Sequence, residues 1–422
     1  MLEVLSEQEV PLAARSALSA MVCAVAVITV ATPAIAETFP PAGSVPPDQD
    51  PFYAAPANIV SYAAGQIVAI RPVSTILFGA AHTWQIAYRT NDAHDQPELT
   101  VTTLVVPATP WQGQGARPIV SLQAAEDSVG IRCSPSYNIA RNLNPDLGLA
   151  QQATTVGQDV PQALSFLVLG YAVAMPDHEG PDAEFGAGPQ EGHATLDGIR
   201  AVHNFDTDGI GTANPVALYG YSGGAHATAW AAQLQPSYAP DLQLAGAANG
   251  GTPADPAVFA RDADGGRSAG LEFAALFGIA TAYPESGFTG VLNARGQQAF
   301  AHLRGKCLPN ELAHFPFQKL ADYSTVPDPL DVPSVKAVLT EDTLGAAAPT
   351  IPIYDYHAKT DGLAVGPDDT MVRNWCSQGA TVDIVRDPVV GHVAEGIVRL
   401  PSAVDYLSDR FAGKPAKSSC TT

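Results

Sequence analysis

Basic residues are scarce in this chain of 422 residues, which carries 21 Lys and Arg against 42 Asp and Glu and a formal net charge of −21 at pH 7. No basic stripe is present that could neutralise phosphates or anionic lipid head groups, so nucleic acid is not expected as a partner. Disorder is not expected either. Hydrophobic residues make up 46% of the chain, which is long enough to bury a large core.

Metal and nucleotide motifs are also missing from the sequence. No C-x-x-C or H-E-x-x-H spacing occurs, which argues against zinc, and no GxxxxGK(S/T) or GxGxxG phosphate loop occurs. The segment Asp177–Gly180 contains metal-ligand residue types. It directly follows a predicted strand and lacks a third ligand nearby, so we interpret it as a structural loop. We expect no metal and no cofactor.

Long hydrophobic runs are limited to one, from Ala17 to Val30. Arg15 precedes this run, and Ala34 to Ala36 fit the small-residue pattern before a cleavage site, so residues 1–36 are predicted to be a signal peptide. Acidic residues occupy the N-terminal region that is usually positive in a signal peptide. An alternative interpretation is therefore that translation starts further downstream. A membrane anchor is the alternative, but the run is shorter than the ~20 residues that span a bilayer. We expect a secreted protein without stable membrane insertion.

Cysteine is limited to five residues, and cleavage of the signal peptide would remove Cys23. An even number in an exported chain predicts two disulfides. Four cysteines allow three connectivities, and spacing does not choose among them. The remaining cysteines are Cys133, Cys307, Cys376 and Cys420.

Short apolar segments alternate with helical patterns after an extended arm at residues 37–57. This order predicts an α/β fold with a mostly parallel central sheet flanked by helices. Predicted helices include Gly192 to Phe205 and His226 to Leu234. The predicted strands are His82–Tyr88, Leu99–Val106, Pro118–Leu122, Ala172–Met175, Val216–Tyr219, Leu242–Ala247, Ile351–Tyr356 and Thr381–Arg386.

One long segment departs from this alternation. Residues 253–348 show Phe, Leu, Ala and Gly at helical spacings with little strand character, which predicts a helical insertion. The core would then consist of residues 37–252 and residues 349–422, the latter including a C-terminal segment.

The pattern G-x-S-x-G, which places a serine on a tight strand-to-helix turn, occurs twice. Ser222 stands in Gly220–Gly224, with a predicted strand before it and a predicted helix after it. Ser268 stands in Gly266–Gly270 after a polar loop, with no strand before it, and is expected to be a helix N-cap. We therefore predict that Ser222 is a nucleophile.

A serine nucleophile needs a histidine base and an acid, which follow it in the order acid, then histidine, in α/β-hydrolases. Asp361 lies in the loop after a predicted strand, and His392 lies in the loop after the next one. His357 precedes Asp361 and breaks the order. We predict Asp361 as the acid and His392 as the base. The competing aspartates are Asp355, Asp368, Asp369 and Asp383.

An oxyanion hole is expected from two backbone amides. One is the N–H of Gly223, directly after the nucleophile, and the other comes from the loop Gln123–Ser128. The acidic pair in this loop, Glu126 and Asp127, has two alternative interpretations, a solvated turn or a set of Ca²⁺ ligands.

The sequence resembles the secretory lipase family, the lipase A type of yeasts with bacterial relatives. The resemblance runs in order through most of the chain. Its motifs are Ser121–Gln123, Glu126–Ser128, Asp177–Pro181, Phe185–Gly188, Leu196–Ala201, Gly220–Ala227, Gly250–Asp255 and the loops of the acid and the histidine.

The resemblance implies an α/β-hydrolase fold, the triad Ser222, Asp361 and His392, and backbone oxyanion donors at Asp127 and Gly223. It implies that the insertion is a cap over an acyl pocket and that an extra C-terminal segment lies near the entrance. It also implies two disulfides, Cys133 with Cys307 and Cys376 with Cys420.

The expected function is that of a secreted serine hydrolase that cleaves carboxylic esters, and most specifically that of a triacylglycerol lipase. Its expected partner is its substrate, a lipid or another ester. An esterase or acyltransferase for small or specialised esters would use the same triad. An inactive hydrolase-like binding domain is a rival of another class, but it would have no reason to keep the three residues in order. The sequence leaves the oligomeric state open.

Overall fold

The computed structural model describes residues 39–142 and 155–420, and the predicted signal peptide lies outside them. A nine-stranded sheet of order β1-β2-β3-β5-β4-β6-β7-β8-β9 forms the centre of the fold. Its strands are β1 (Ile67–Pro72), β2 (Ala81–Asn91), β3 (Pro97–Pro107), β4 (Ile119–Gln123), β5 (Ala172–Pro176), β6 (Val216–Tyr221), β7 (Leu244–Gly250), β8 (Ile353–Thr360) and β9 (Val382–Val390).

Helices flank the sheet and fill the insertion. Most begin at or just after a small or polar residue or at a proline, which fits the first turn because its missing N–H would have no partner there. The helices are α1 (Pro135–Arg141), α2 (Val160–Leu167), α3 (Gly188–His203), α4 (Gly223–Tyr238), α5 (Pro256–Ala263), α6 (Ala269–Ala282), α7 (Ala294–Leu303), α8 (Leu308–His314), α9 (Pro333–Glu341), α10 (Val365–Ser377) and α11 (His392–Phe411).

The predicted α/β fold with a mostly parallel sheet is confirmed. The strands from β5 to β9 in the sheet order pair in parallel, whereas β1, β2 and β3 pair antiparallel. The central strands β4 and β6 are mostly apolar and buried on both faces, as helices on either side require.

The register brings the carboxyl ends of three strands to one edge of the sheet. Tyr221 at the end of β6 pairs with Gly250 at the end of β7, and Gly250 pairs with Tyr356 in β8. Tyr356 in turn pairs with Val385 in β9. The loops that follow β6, β8 and β9 therefore meet at this edge, where ligands bind in open α/β sheets.

Two features differ from the sequence-based expectations. Strand β1 was not predicted, because it lies at the sheet edge, where only one of its six residues is buried and its apolar pattern is weak. The arm at residues 39–57 is not simply extended, since it contains two short 3₁₀ turns, Pro47–Gln49 and Pro51–Tyr53.

The segment predicted as a helical insertion contains α5 to α9 and has an apolar core of its own. Phe273, Phe277, Phe288 and Phe315 are buried in this core, with Phe273 in edge-to-face contact with Phe315. The C-terminal segment, residues 412–420, reaches the beginning of β9, where the Ser419 amide donates to the Val382 carbonyl at 2.7 Å. That is the opposite end of the strand from the His392 loop, so this segment does not lie at the expected entrance.

None of the described helices is long and hydrophobic enough to cross a membrane.

Candidate active site

Ser222 lies on the turn between β6 and α4 with a φ of 61° and a ψ of −126°. A non-glycine residue rarely adopts this backbone, which projects its hydroxyl out of the turn. The flanking glycines are required by close packing. A Cβ on Gly220 would lie 2.0 Å from the Gly224 carbonyl oxygen, and one on Gly224 would lie 2.1 Å from the Gln123 carbonyl oxygen.

A continuous hydrogen-bonded chain joins Ser222 to His392 and Asp361. The Oγ of Ser222 lies 2.7 Å from Nε2 of His392, and Nδ1 of His392 lies 2.9 Å from Oδ2 of Asp361. His392 begins α11 directly after Gly391, whose φ of 88° turns the chain out of β9. The structure thus brings together the three residues that the sequence predicted as a triad.

The Asp361 carboxylate is held from several directions. Its Oδ1 accepts a hydrogen bond from the Leu363 amide at 2.9 Å. Burial opposes ionisation, but contacts with His357 and His392 place the pKa of this carboxyl well below its usual range. Asp361 is therefore an anion throughout the neutral range and can accept from a histidine N–H.

The loop Gln123–Ser128 reaches the nucleophile as predicted. The Asp127 carboxylate oxygen lies 1.8 Å from the position of a Cβ on Gly223, so a larger residue there would displace the Asp127 side chain. Gly223 is the first residue of α4, where backbone N–H groups have no partner within the helix and favour negative charge. Asp127 and Gly223 line the same pocket as Ser222.

Buried side chains fix this oxyanion loop. His178 Nε2 lies 2.8 Å from the Ala124 carbonyl oxygen, and Glu179 accepts from the Ser128 amide at 3.4 Å. Glu311 in α8 accepts from the Val129 amide at 3.2 Å. The segment Asp177–Gly180 therefore has a structural role here, as its position after β5 predicted.

An apolar pocket lies over Ser222. It is formed by the β5–α3 loop, by α5 and α6 of the insertion and by the acid loop. Its apolar lining consists of Phe185, Pro253, Pro256, Phe259, Leu271, Ala275, Ile279 and Leu363. This arrangement can receive an apolar group next to a serine hydroxyl.

Several candidates from the sequence lie elsewhere. Ser268 immediately precedes α6, as expected of an N-cap, although its side chain makes no capping hydrogen bond. Asp355 instead forms an ion pair with Arg386, whose guanidinium donates to its carboxylate at 2.6 Å. Among residues 39–142 and 155–420, no group of three or more His, Cys, Asp or Glu side chains is arranged to hold a metal ion.

Tyr221 is a site residue that the sequence did not identify. Its hydroxyl donates to the His392 carbonyl oxygen, and its ring lies 4.9 Å from the His392 ring. Position x of a G-x-S-x-G pattern carries no information about such a contact, because the contact depends on how β6 and α11 pack.

Two disulfides are formed in the part of the chain that the structure describes. Cys133 bonds Cys307 across a sequence separation of 174 residues, and Cys376 bonds Cys420 across 44 residues. The pairing is the one that the family resemblance implies. The first bond ties the turn after the oxyanion loop to the beginning of α8.

Comparison with known proteins gives a consistent result. Residues 147–419 match the sequence model of the secretory lipase family. Lipase A of Moesziomyces aphidis is 35% identical, over 97% of this chain and 89% of that protein. A secreted triacylglycerol lipase of Malassezia restricta is 33% identical, over 87% and 80%. A probable inactive lipase of Mycobacterium tuberculosis is 34% identical, over 87% and 83%.

Solved structures show the same similarity. The closed state of Candida antarctica lipase A superimposes with a TM-score of 0.83 at 34% identity, covering 90% of this chain and 89% of that one.

Proposed function

The chain belongs to the secretory lipase family, and on that premise we propose that it is a secreted serine hydrolase that cleaves carboxylic esters through an acyl-enzyme on Ser222. Triacylglycerols are the proposed substrates, because the similar protein of Malassezia restricta is a secreted triacylglycerol lipase. Ser222, His392 and Asp361 are the proposed triad.

The observation that carries the proposal is the hydrogen-bonded chain from Ser222 through His392 to Asp361 beneath an apolar pocket. Family membership alone does not establish activity, because one relative is a probable inactive lipase. An intact chain of nucleophile, base and acid with two amides beside it is what ester hydrolysis requires.

The mechanism follows from the positions of these groups. His392 takes the Ser222 proton at Nε2 while Oγ attacks the ester carbonyl, and the Gly223 and Asp127 amides stabilise the resulting oxyanion. His392 then donates that proton to the leaving alcohol, which departs and leaves the acyl-enzyme. Water, deprotonated by His392, attacks the acyl-enzyme and releases the acid, which restores Ser222.

An esterase for short acyl chains is the second candidate. It is supported by the core of the insertion, which takes up most of the aromatic side chains and leaves only Phe259 among the insertion's phenylalanines to line the pocket. Rates on p-nitrophenyl esters from acetate to palmitate, beside a triglyceride emulsion, separate the two candidates.

Substitution of the two motif serines tests the nucleophile. Ser222→Ala is expected to lower kcat by at least about four orders of magnitude, because the acyl-enzyme cannot form. Ser268→Ala is the matched control and should retain nearly full activity. A fluorophosphonate should label the wild type and the control but not Ser222→Ala. Equal losses in the two variants would refute the assignment.

Secretion is part of the proposal. Two disulfides in the described chain support an oxidising compartment. N-terminal sequencing of protein recovered from the medium should begin at Glu37, whereas an intact apolar run on membrane-bound protein would favour an anchor instead.

A further inference from the structure

His357 is a second imidazole in contact with the acid of the proposed triad. It belongs to β8, four residues before Asp361, and is fully buried. Its Nδ1 lies 2.9 Å from Oδ2 of Asp368. Its Nε2 forms an ion pair at 3.4 Å with Oδ2 of Asp361, the oxygen that also accepts from His392. Two imidazoles thus face one carboxylate oxygen.

The two carboxylates determine the protonation state of His357. A neutral imidazole donates from one nitrogen only and would point the lone pair of the other at a carboxylate oxygen. Only the imidazolium offers a proton to both Asp361 and Asp368. Burial disfavours the charged ring, but Asp361 and Asp368 together raise the pKa of His357 to about 9. The ring is therefore a cation at neutral pH.

Other charged groups surround this pair. Arg386 in β9 lies 3.1 Å from Asp368, 2.6 Å from Asp355 and 2.8 Å from Asp369. Burial and the neighbouring Asp368 raise the pKa of Asp355 to about 8. From α11, the buried Glu395 carboxyl faces both His357 and Asp361. In this cluster His357 is the cation that contacts Asp361, whereas Arg386 binds the carboxylates behind it.

We propose that His357 is a positioning residue of the active site. As an imidazolium between Asp361 and Asp368, it fixes the Asp361 carboxylate, which orients His392. It also weakens the attraction of that carboxylate for a proton on His392. This inference rests on the proposed function, because it assigns a role through the proposed acid.

The charge of His357 should affect the pH dependence of catalysis in a defined direction. A cation behind Asp361 offsets part of the negative charge that stabilises protonated His392. Without this cation the carboxylate holds a proton on His392 more strongly. The base is then available only at higher pH, and the acid limb of the kcat/KM profile shifts upward.

His357→Gln tests this, because glutamine keeps a polar side chain without the charge. With p-nitrophenyl butyrate we expect kcat to fall about tenfold with KM within about twofold, since binding contacts are untouched. The acid limb should move upward by about one pH unit. His193→Gln is the control, because it also removes a nearly buried imidazole, one that bonds the Asp92 carbonyl away from the pocket. Its acid limb should not move.

An unmoved acid limb in His357→Gln would overturn the proposal, since a merely structural role lowers the rate at every pH alike. Ser222→Ala, assayed beside it, separates the two levels of inference. Loss of hydrolysis in Ser222→Ala with an unmoved limb in His357→Gln refutes only the role of His357. Hydrolysis by Ser222→Ala would overturn the proposed function and this inference with it.

A measurement on the wild-type protein decides the case if His357→Gln does not fold. In ¹⁵N-histidine-labelled protein at about pH 7.5, both ring nitrogens of His357 should show the shifts of a protonated imidazolium. Asp368→Asn, which removes one of its carboxylates, identifies the signal by displacing it. A neutral ring at this pH would overturn the proposal.

Discussion

The five aspartates that competed for the acid in the sequence have side chains with different partners. Asp361 leaves β8 at its carboxyl end and contacts His392. Asp355 lies within the strand and accepts from Asn249 at 2.7 Å. Asp368 and Asp369 lie in α10 and contact His357 and Arg386. A strand residue cannot reach past the sheet edge, whereas a loop residue after the strand can.

Asp361→Asn is therefore expected to lower kcat by about 10⁴ while the fold remains intact, by analogy with triads in which the amide stabilises the wrong histidine tautomer. Steady-state kinetics on p-nitrophenyl butyrate measure the loss, and circular dichroism checks the fold. Asp383→Asn is the control, because its carboxylate lies near Ser419 in the C-terminal segment. A larger loss in Asp383→Asn would show that the acid is misassigned.

At the residue level, the sequence predicted the members of the site better than their surroundings. Ser222, Asp361 and His392 follow from chain order and from their positions after strands. Tyr221 and His357 do not, since their roles depend on side-chain contacts between β6 and α11 and between β8 and α10. Such contacts come from packing, which no local pattern specifies.

At the scale of elements, helix α8 is tied to the oxyanion loop and to the turn that follows it. The Cys133–Cys307 bond joins that turn to the residue before α8, and the Leu308 amide at the beginning of α8 donates to the Ser128 Oγ at 3.1 Å. The insertion is thereby linked directly to the loop that carries a proposed oxyanion donor. The second disulfide, Cys376–Cys420, joins α10 to the C-terminal segment.

Removing the two disulfides separately should destabilise the protein unequally. In the chain-entropy model, rings of 174 and 44 residues contribute up to about 5 and about 4 kcal/mol. Cys133→Ala/Cys307→Ala should therefore lower Tm more than Cys376→Ala/Cys420→Ala, as measured by calorimetry. It should also lower kcat, since it releases the oxyanion loop. The opposite order of Tm would contradict this account.

Helix α6 contributes both to the core of the insertion and to the pocket. Phe273 and Phe277 lie in that core, whereas Leu271, Ala275 and Ile279 pack against it and also line the pocket that contains Ser222. This two-sided use explains why the helix is apolar all round. From the sequence, the helix was predictable, but not which side chains face the substrate.

The pocket predicts a dependence on acyl length. Each acyl CH₂ buried there contributes up to ~0.8 kcal/mol, about fourfold in rate per carbon, so kcat/KM should rise from acetate through at least octanoate. Leu271→Ala should lower the rate on octanoate more than on acetate. Phe317→Ala, at an insertion residue that is 63% exposed, is the control. A flat profile would favour the short-chain esterase.

At the scale of the whole molecule, acidic side chains are found in the interior as well as on the surface. In the described chain, burial raises the pKa of several carboxyl groups far above their ordinary values. The clearest are Asp127 at about 7, Glu98 and Glu184 at about 8 and Glu272 at about 9. Both carboxyl oxygens of Glu272 are buried without a hydrogen-bond partner, so ionisation of this group is costly.

These groups predict that the protein loses stability as pH rises. In the unfolded chain they release their protons near pH 4, whereas in the folded protein they hold them up to about pH 7 to 9. The folded state therefore binds more protons in this window, and the free energy of unfolding falls with increasing pH. Repulsion among the excess negative charges acts in the same direction. We expect Tm to fall between about pH 5 and about pH 9.

Glu272→Gln tests the cause of this loss, because a neutral amide of similar shape cannot ionise. Burial and the neighbouring Asp264 keep the Glu272 carboxyl protonated at low pH, so the variant should match the wild type near pH 5. It should have the higher Tm near pH 9, where the wild type must ionise or hold its proton at a cost. Glu341→Gln, at an exposed residue of α9, is the matched control and should follow the wild type at both pH values. If Glu272→Gln and Glu341→Gln lose Tm equally between these pH values, surface repulsion rather than buried carboxyl groups causes the decline.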